Sequence, residues 1–69
     1  MRLYELITRL IATAYVYVQI LDHPTKIAFS GTVQELCYKG SWFYNPFSMA
    51  KIRNICIEQG TLCIYCEDN

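Results

Sequence analysis

The chain has 69 residues, with six Lys and Arg against six Asp and Glu, so its formal net charge at neutral pH is zero. Hydrophobic residues make up 54% and charged residues 17%, the latter below the roughly 25% of an average soluble domain. These figures exclude a disordered chain, a second domain, a basic stripe for phosphates and an acidic mimic of nucleic acid.

Leu3, Leu6, Ile7, Leu10 and Ile11 recur at helical spacing and predict a helix over about residues 2–12. Glu5 and Arg9, four apart, are expected to pair on its exposed face. The period then shortens to two. Tyr15–Leu21 is rich in β-branched and aromatic residues, with Val16, Val18 and Ile20 inward and Tyr15, Tyr17 and Gln19 outward. Asp22-His23-Pro24-Thr25 is turn chemistry. Lys26–Val33 alternates again, with Ile27, Phe29 and Val33 inward, which makes the first hairpin. Val33–Leu36 is expected to form a short helical turn. Residues 37–49 carry no clear period, because Gly40 and Asn45-Pro46 break any long element. The end reads as a second hairpin, Ile52–Ile57 and Thr61–Glu67 around Gln59-Gly60. That turn sets Ile57 against Leu62, Ile55 against Ile64, Cys56 against Cys63 and Asn54 against Tyr65. A slip of one residue would exchange the faces. The expected fold is α+β: a single domain over 1–69, with one N-terminal helix packed on an antiparallel sheet of about four strands in two hairpins.

The uncharged run Leu10–Leu21 is shorter than the roughly 20 residues a bilayer requires. It also lacks a clean small-residue cleavage site. A cytoplasmic protein without membrane contact is expected. Lys51/Arg53 and the acidic Glu67–Asp68 pair are the only local charge biases.

Four cysteines stand at 37, 56, 63 and 66. A zinc site built on Cys63 and Cys66, completed by Cys37, Cys56 or His23, would need two close pairs, and the chain has one. Residues three apart on a strand also point to opposite faces. A Cys56–Cys63 disulfide would need an oxidising compartment. A low-pKa thiol would need a helix N-terminus beside Cys63 or Cys66. Reduced, partly buried cysteines are therefore the expected state, with no cofactor. His23 is the one imidazole and sits in a turn, so no catalytic set assembles around it, and the chain is not expected to be an enzyme.

Six Tyr, three Phe and one Trp are more rings than so short a chain can bury, and five of them fall within Tyr38–Phe47. Phe43 and Phe47 are expected inward. Tyr15, Tyr17, Tyr38, Trp42, Tyr44 and Tyr65 are the candidate partner-binding residues, since Tyr and Trp are frequent interface anchors. The apolar excess also favours a homo-oligomer. Two rival readings are a nucleotide-sequestering protein, with Trp42 or a Tyr on the base and Lys51 or Arg53 on its phosphate, and a small zinc or redox module.

Leu3-x-x-Leu6-Ile7, a valine-rich strand, Phe29-Ser30-Gly31-Thr32-Val33-x-Glu35-Leu36 and a closing hairpin together resemble small proteins encoded by phages and prophages of Gram-positive bacteria. The resemblance runs along the whole chain. Trp42–Tyr44 and the four cysteines depart from it. It carries no catalytic residues over. It implies a protein that acts by binding in the bacterial cytoplasm, such as an inhibitor of a host defence protein, including CRISPR nucleases. The neutral charge sets direct nucleic-acid contact aside.

Overall fold

A computed structural model describes residues 1–67 and orders the chain as α1 (Leu3–Ile7), β1 (Tyr15–Ile20), β2 (Ile27–Thr32), α2 (Val33–Tyr38), α3 (Ser41–Phe47), β3 (Lys51–Glu58) and β4 (Thr61–Glu67). Asp68 of the acidic pair lies outside the described residues. One four-stranded sheet runs in the order β2-β1-β4-β3. Both hairpins form. Val16 pairs with Gly31, Val18 with Phe29 and Ile20 with Ile27. In the second hairpin Ile57 meets Leu62, Cys56 meets Cys63, Ile55 meets Ile64 and Asn54 meets Tyr65. Gln59 and Gly60 take φ of 51° and 78°, the two positive torsions of a tight hairpin turn. The strands shift register between Ile52 and Asn54, which leaves Arg53 as the irregular residue.

The sheet is mixed, not antiparallel as expected: β1 and β4 lie parallel at its centre, Val18 beside Ile64 and Ile20 beside Cys66. Two local hairpins are joined by a non-local pair, and the chain from β2 to β3 crosses one face through α2 and α3. That face holds the core. Val16, Val18, Ile20, Ile64 and Cys66 from the sheet meet Leu3, Ile7, Val33, Leu36 and Phe43 from the helices, all buried. Ile27, Phe29, Ile52 and Leu62 pack against them.

The N-terminal helix is shorter than the apolar period suggests, ending at Ile7 rather than near residue 12. The Thr8 hydroxyl donates back to the Tyr4 carbonyl at 2.8 Å, and the next residues form turns that lead down to β1. Glu5 does not pair with Arg9. Its carboxylate accepts the Arg2 backbone N–H at 2.7 Å and caps the helix. The backbone of Leu3 and Tyr4 donates to Ala50 and Ser48, and Ile52 donates to Met1, so the N-terminus is tied to the start of β3. Residues 41–47 are helical despite Gly40 and Pro46. Phe43 and Phe47 are four apart, their ring centroids 5.3 Å from each other, and both turn towards the core. Burial of those two rings outweighs the one backbone bond that Pro46 removes near the end of a short helix. No helix among the described residues is long and apolar enough to cross a membrane.

Candidate binding surfaces

The early end of α1 opens a groove. Ile7, Thr8, Leu10 and Ala12 form one wall, and Val33, Gln34, Cys37 and Tyr38 of α2 form the other. Its volume is about 420 Å³, and it is open to solvent rather than enclosed. Backbone bonds hold the walls together. Val33 N–H donates to the Ala14 carbonyl at 2.9 Å and Gln34 N–H to the Ala12 carbonyl at 3.0 Å. The α2 wall is further fixed by a capping box. Thr32 Oγ1 accepts the Glu35 N–H at 3.1 Å, and Glu35 Oε1 accepts the Thr32 N–H at 2.9 Å. The two Thr32 hydrogen bonds, backbone first, hold the Glu35 carboxyl below its ordinary value, and Lys39 adds to this. Two large apolar residues stand out at this place in the fold. Tyr38 is 74% exposed at the groove, and Ile11, between two wall residues in sequence, is 71% exposed.

Among the described residues no helix covers the opposite face of the sheet, which presents three of the predicted tyrosines. Tyr15 is exposed. Tyr17 and Tyr65 are half-buried and meet edge to face at 6.3 Å. Beside them Cys63 is only 6% exposed although it lies outside the core cluster. Cys56 faces it across the hairpin and Glu58 is two residues further along β3. Cys63 Sγ lies 3.7 Å from Glu58 Oε2. Burial pushes the Cys63 thiol up, and Cys56 and Glu58 push it the same way. Burial also raises the Tyr65 phenol, with Cys56, Cys63, Glu58 and Tyr17 as added causes.

The six predicted aromatic residues thus do not form one patch. Tyr15, Tyr17 and Tyr65 belong to the open sheet face and Tyr38 to the groove. Trp42 is exposed on α3 and packs its ring edge-on to Phe43 at 5.8 Å. Tyr44 is half-buried against the core, and burial raises its phenol, with Cys37 adding to this. The groove walls other than Tyr38 escape a sequence reading, because Ile7, Leu10 and Val33 look like core positions. Their only signal is an apolar stripe, Leu10-Ile11, running past the point where Thr8 ends the helix.

Cys63 and Cys66 point to opposite faces, as strand alternation requires: Cys66 is in the core, where burial pushes its thiol up to about 11. Cys37 is exposed at the end of α2. A zinc site using Cys63 with Cys66 does not assemble. His23 closes its own turn, Nδ1 lying 3.1 Å from Thr25 Oγ1, and its ring meets Phe47 edge-on at 5.6 Å. Arg53, a candidate phosphate ligand, pairs with Glu67 at 3.7 Å. No protein-family model, curated protein or solved structure matches this chain.

Proposed function

We propose that the protein is a non-catalytic binding module that grips an apolar segment of a partner protein in the groove between the α1 turn and α2, and that it self-associates along β3. The groove carries this reading. An open apolar trough of this size accepts side chains projecting from a partner, whereas a small-molecule site buries most of its ligand. Tyr38 and Ile11 are the anchors beside it, since exposed large apolar side chains at one place mark a contact surface. The resemblance to phage and prophage proteins extends the reading to an inhibitor that occupies a bacterial defence protein in the host cytoplasm. The open sheet face, with its tyrosines, is the secondary contact surface.

The test compares the wild type with Tyr38→Ala and Ile11→Asp in a pull-down from host lysate, with circular dichroism as the folding control. Each groove variant should lose a specific partner by about 2 kcal/mol of affinity or more while keeping its fold. Lys26→Ala, exposed in the β1–β2 connection, should retain it. Equal recovery of every partner by wild type and both groove variants would rule the groove out.

A further inference from the structure

On the open face of the sheet, three metal-binding side chains converge with no part in the groove. We infer that Cys56, Glu58 and Cys63 form a zinc-binding site on the β3–β4 hairpin, with a solvent-facing fourth position. This inference is independent of the groove reading.

Three features of the fold make the site. The hairpin register sets Cys56 directly across from Cys63. Strand alternation puts Glu58 on the same face as Cys56, one pleat towards the turn. The tight turn at Gln59-Gly60 holds both strands in that register. The two sulfurs and one carboxylate oxygen all lie within 4.8 Å of one another. Tetrahedral zinc, with bonds of about 2.3 Å to sulfur and about 2.0–2.2 Å to oxygen, places neighbouring donors roughly 3.5–3.8 Å apart. Cys63 Sγ and Glu58 Oε2, at 3.7 Å, already stand at that spacing. The remaining adjustment falls on side-chain rotation. Glu58 is exposed and Cys56 half-buried, so both can turn without moving the sheet.

The donor set selects the ion. Two thiolates with one carboxylate suit a borderline-soft divalent cation such as zinc and disfavour magnesium or calcium, which take oxygen ligands. Tyr17 and Tyr65 flank Cys63, through the parallel pairing of Tyr17 with Cys63 and the alternation of Cys63 with Tyr65. Their edge-to-face rings shield one side of the site from water and leave the Glu58 side open. Binding releases one proton from each thiol to solvent as the two zinc–sulfur bonds form, and Glu58 joins as the carboxylate. Three protein ligands and one open position are the arrangement in which zinc keeps a water. The ligand set differs from one centred on Cys63 and Cys66, and excludes Cys66, Cys37 and His23.

The experiment adds zinc(II) alone to the full chain, held reduced with a phosphine, and reads stoichiometry by native mass spectrometry and affinity by competition with a chromophoric chelator. One zinc per chain is expected, and cobalt(II) in its place should show thiolate-to-metal charge transfer. Zinc should protect Cys56 from maleimide while exposed Cys37 stays reactive. This readout uses the wild type and so does not depend on any variant folding. Cys56→Ser and Glu58→Gln should each weaken binding, the former by about 100-fold or more, since even an outer partner of a metal ligand is worth roughly 10–100-fold. Cys37→Ser and His23→Ala should change nothing. The proposal is overturned if no stoichiometric zinc is held. It is also overturned if Cys37 is the protected thiol, or if a Cys56–Cys63 disulfide resists the reductant and blocks uptake.

Discussion

Gly40 is required by a neighbour more than by its own torsions. A Cβ there would stand 2.5 Å from Phe29 Cε2 and 3.0 Å from the Leu36 carbonyl oxygen. The carbonyl belongs to α2, so the Phe29 ring would have to move, and it packs against the core beside Phe43. Gly40→Ala is expected to cost about 1–3 kcal/mol, the range for forcing extra atoms into a packed site. Urea denaturation measures it, and Phe29→Leu in the Ala background should recover part of the loss. Wild-type stability in Gly40→Ala would mean that the ring yields freely. Cys66 acts through ionisation. Its thiol ordinarily titrates at 9.0 and is pushed up to about 11 by burial, so the folded chain holds that proton more tightly than the unfolded chain. The stabilisation is complete below pH 9 and declines as the pH rises from about 9 towards 11. Cys63, Tyr44 and Tyr65, each raised chiefly by burial, act in the same direction. Denaturation midpoints measured across pH 8–11 should fall steadily, and less steeply in Cys66→Ala. A flat profile would mean that Cys66 is solvated in the native state.

At the scale of elements, α2 depends on its first turn. Thr32 and Glu35 satisfy each other's backbone N–H groups, and replacing such an N-cap by Ala costs about 1 kcal/mol. Thr32→Ala should show that loss in urea. Glu35 has its folded pKa depressed below the ordinary 4.5, so its stabilisation is present above pH 4.5 and is lost as pH falls through the lower folded value. Glu35→Gln keeps the cap geometry without the titration, so the acid limb of stability should flatten below pH 4.5. An unchanged acid limb would move the effect to other carboxylates. The same elements show what a sequence can and cannot reveal. The register of the second hairpin from Asn54 to the turn was readable, because Gln59-Gly60 and the apolar pairs Ile57/Leu62 and Ile55/Ile64 specify it, whereas the irregularity at Arg53 was not. The parallel contact of β1 with β4 was not, since no turn connects them and both present similar apolar alternation. The α3 helix was hidden by Pro46, although Phe43 and Phe47 stood at helical spacing. Tyr38 was visible as a binding candidate. The groove beneath it was not, because it exists only where α1 stops short and leaves Leu10–Ala12 as turns.

For the whole molecule, the unfinished surface is the β3 edge. The sheet order puts β3 at an edge where the N-terminus bridges only its start, Arg2 against Lys51, and further along its helix-side residues Ile55 and Ile57 are 42% and 74% exposed, beyond the reach of α1–α3. In a hairpin closed by a two-residue turn, Glu58, Cys56 and Asn54 direct their backbone groups to β4, so Ile55 and Ile57 direct theirs outward. A second copy running antiparallel about Cys56 would set each Ile55 opposite the other chain's Ile57. The Ile55 N–H, which within one chain donates to Asn54 Oδ1 at 3.0 Å, exchanges that partner for the facing strand, the outward N–H and C=O groups bond in pairs, and four isoleucines close against one another on the helix side. The central pair, Cys56 with its equivalent, falls on the open face. Every apolar residue meets an apolar one in this register, whereas a slip of one residue would set isoleucines on opposite faces. Open edges of this kind invite strand pairing; Lys51, Arg53, Glu58 and the irregularity at Arg53 discourage it at the start and end of β3 but leave Asn54–Ile57 open. Light scattering should therefore give the wild type the mass of a dimer, and Ile57→Lys should halve it without loss of secondary structure. Lysine at that place puts two like charges into the pairing while leaving the β3–β4 register untouched. A monomeric wild type at the highest soluble concentration would overturn self-pairing and leave Ile55 and Ile57, like the groove, to a different partner.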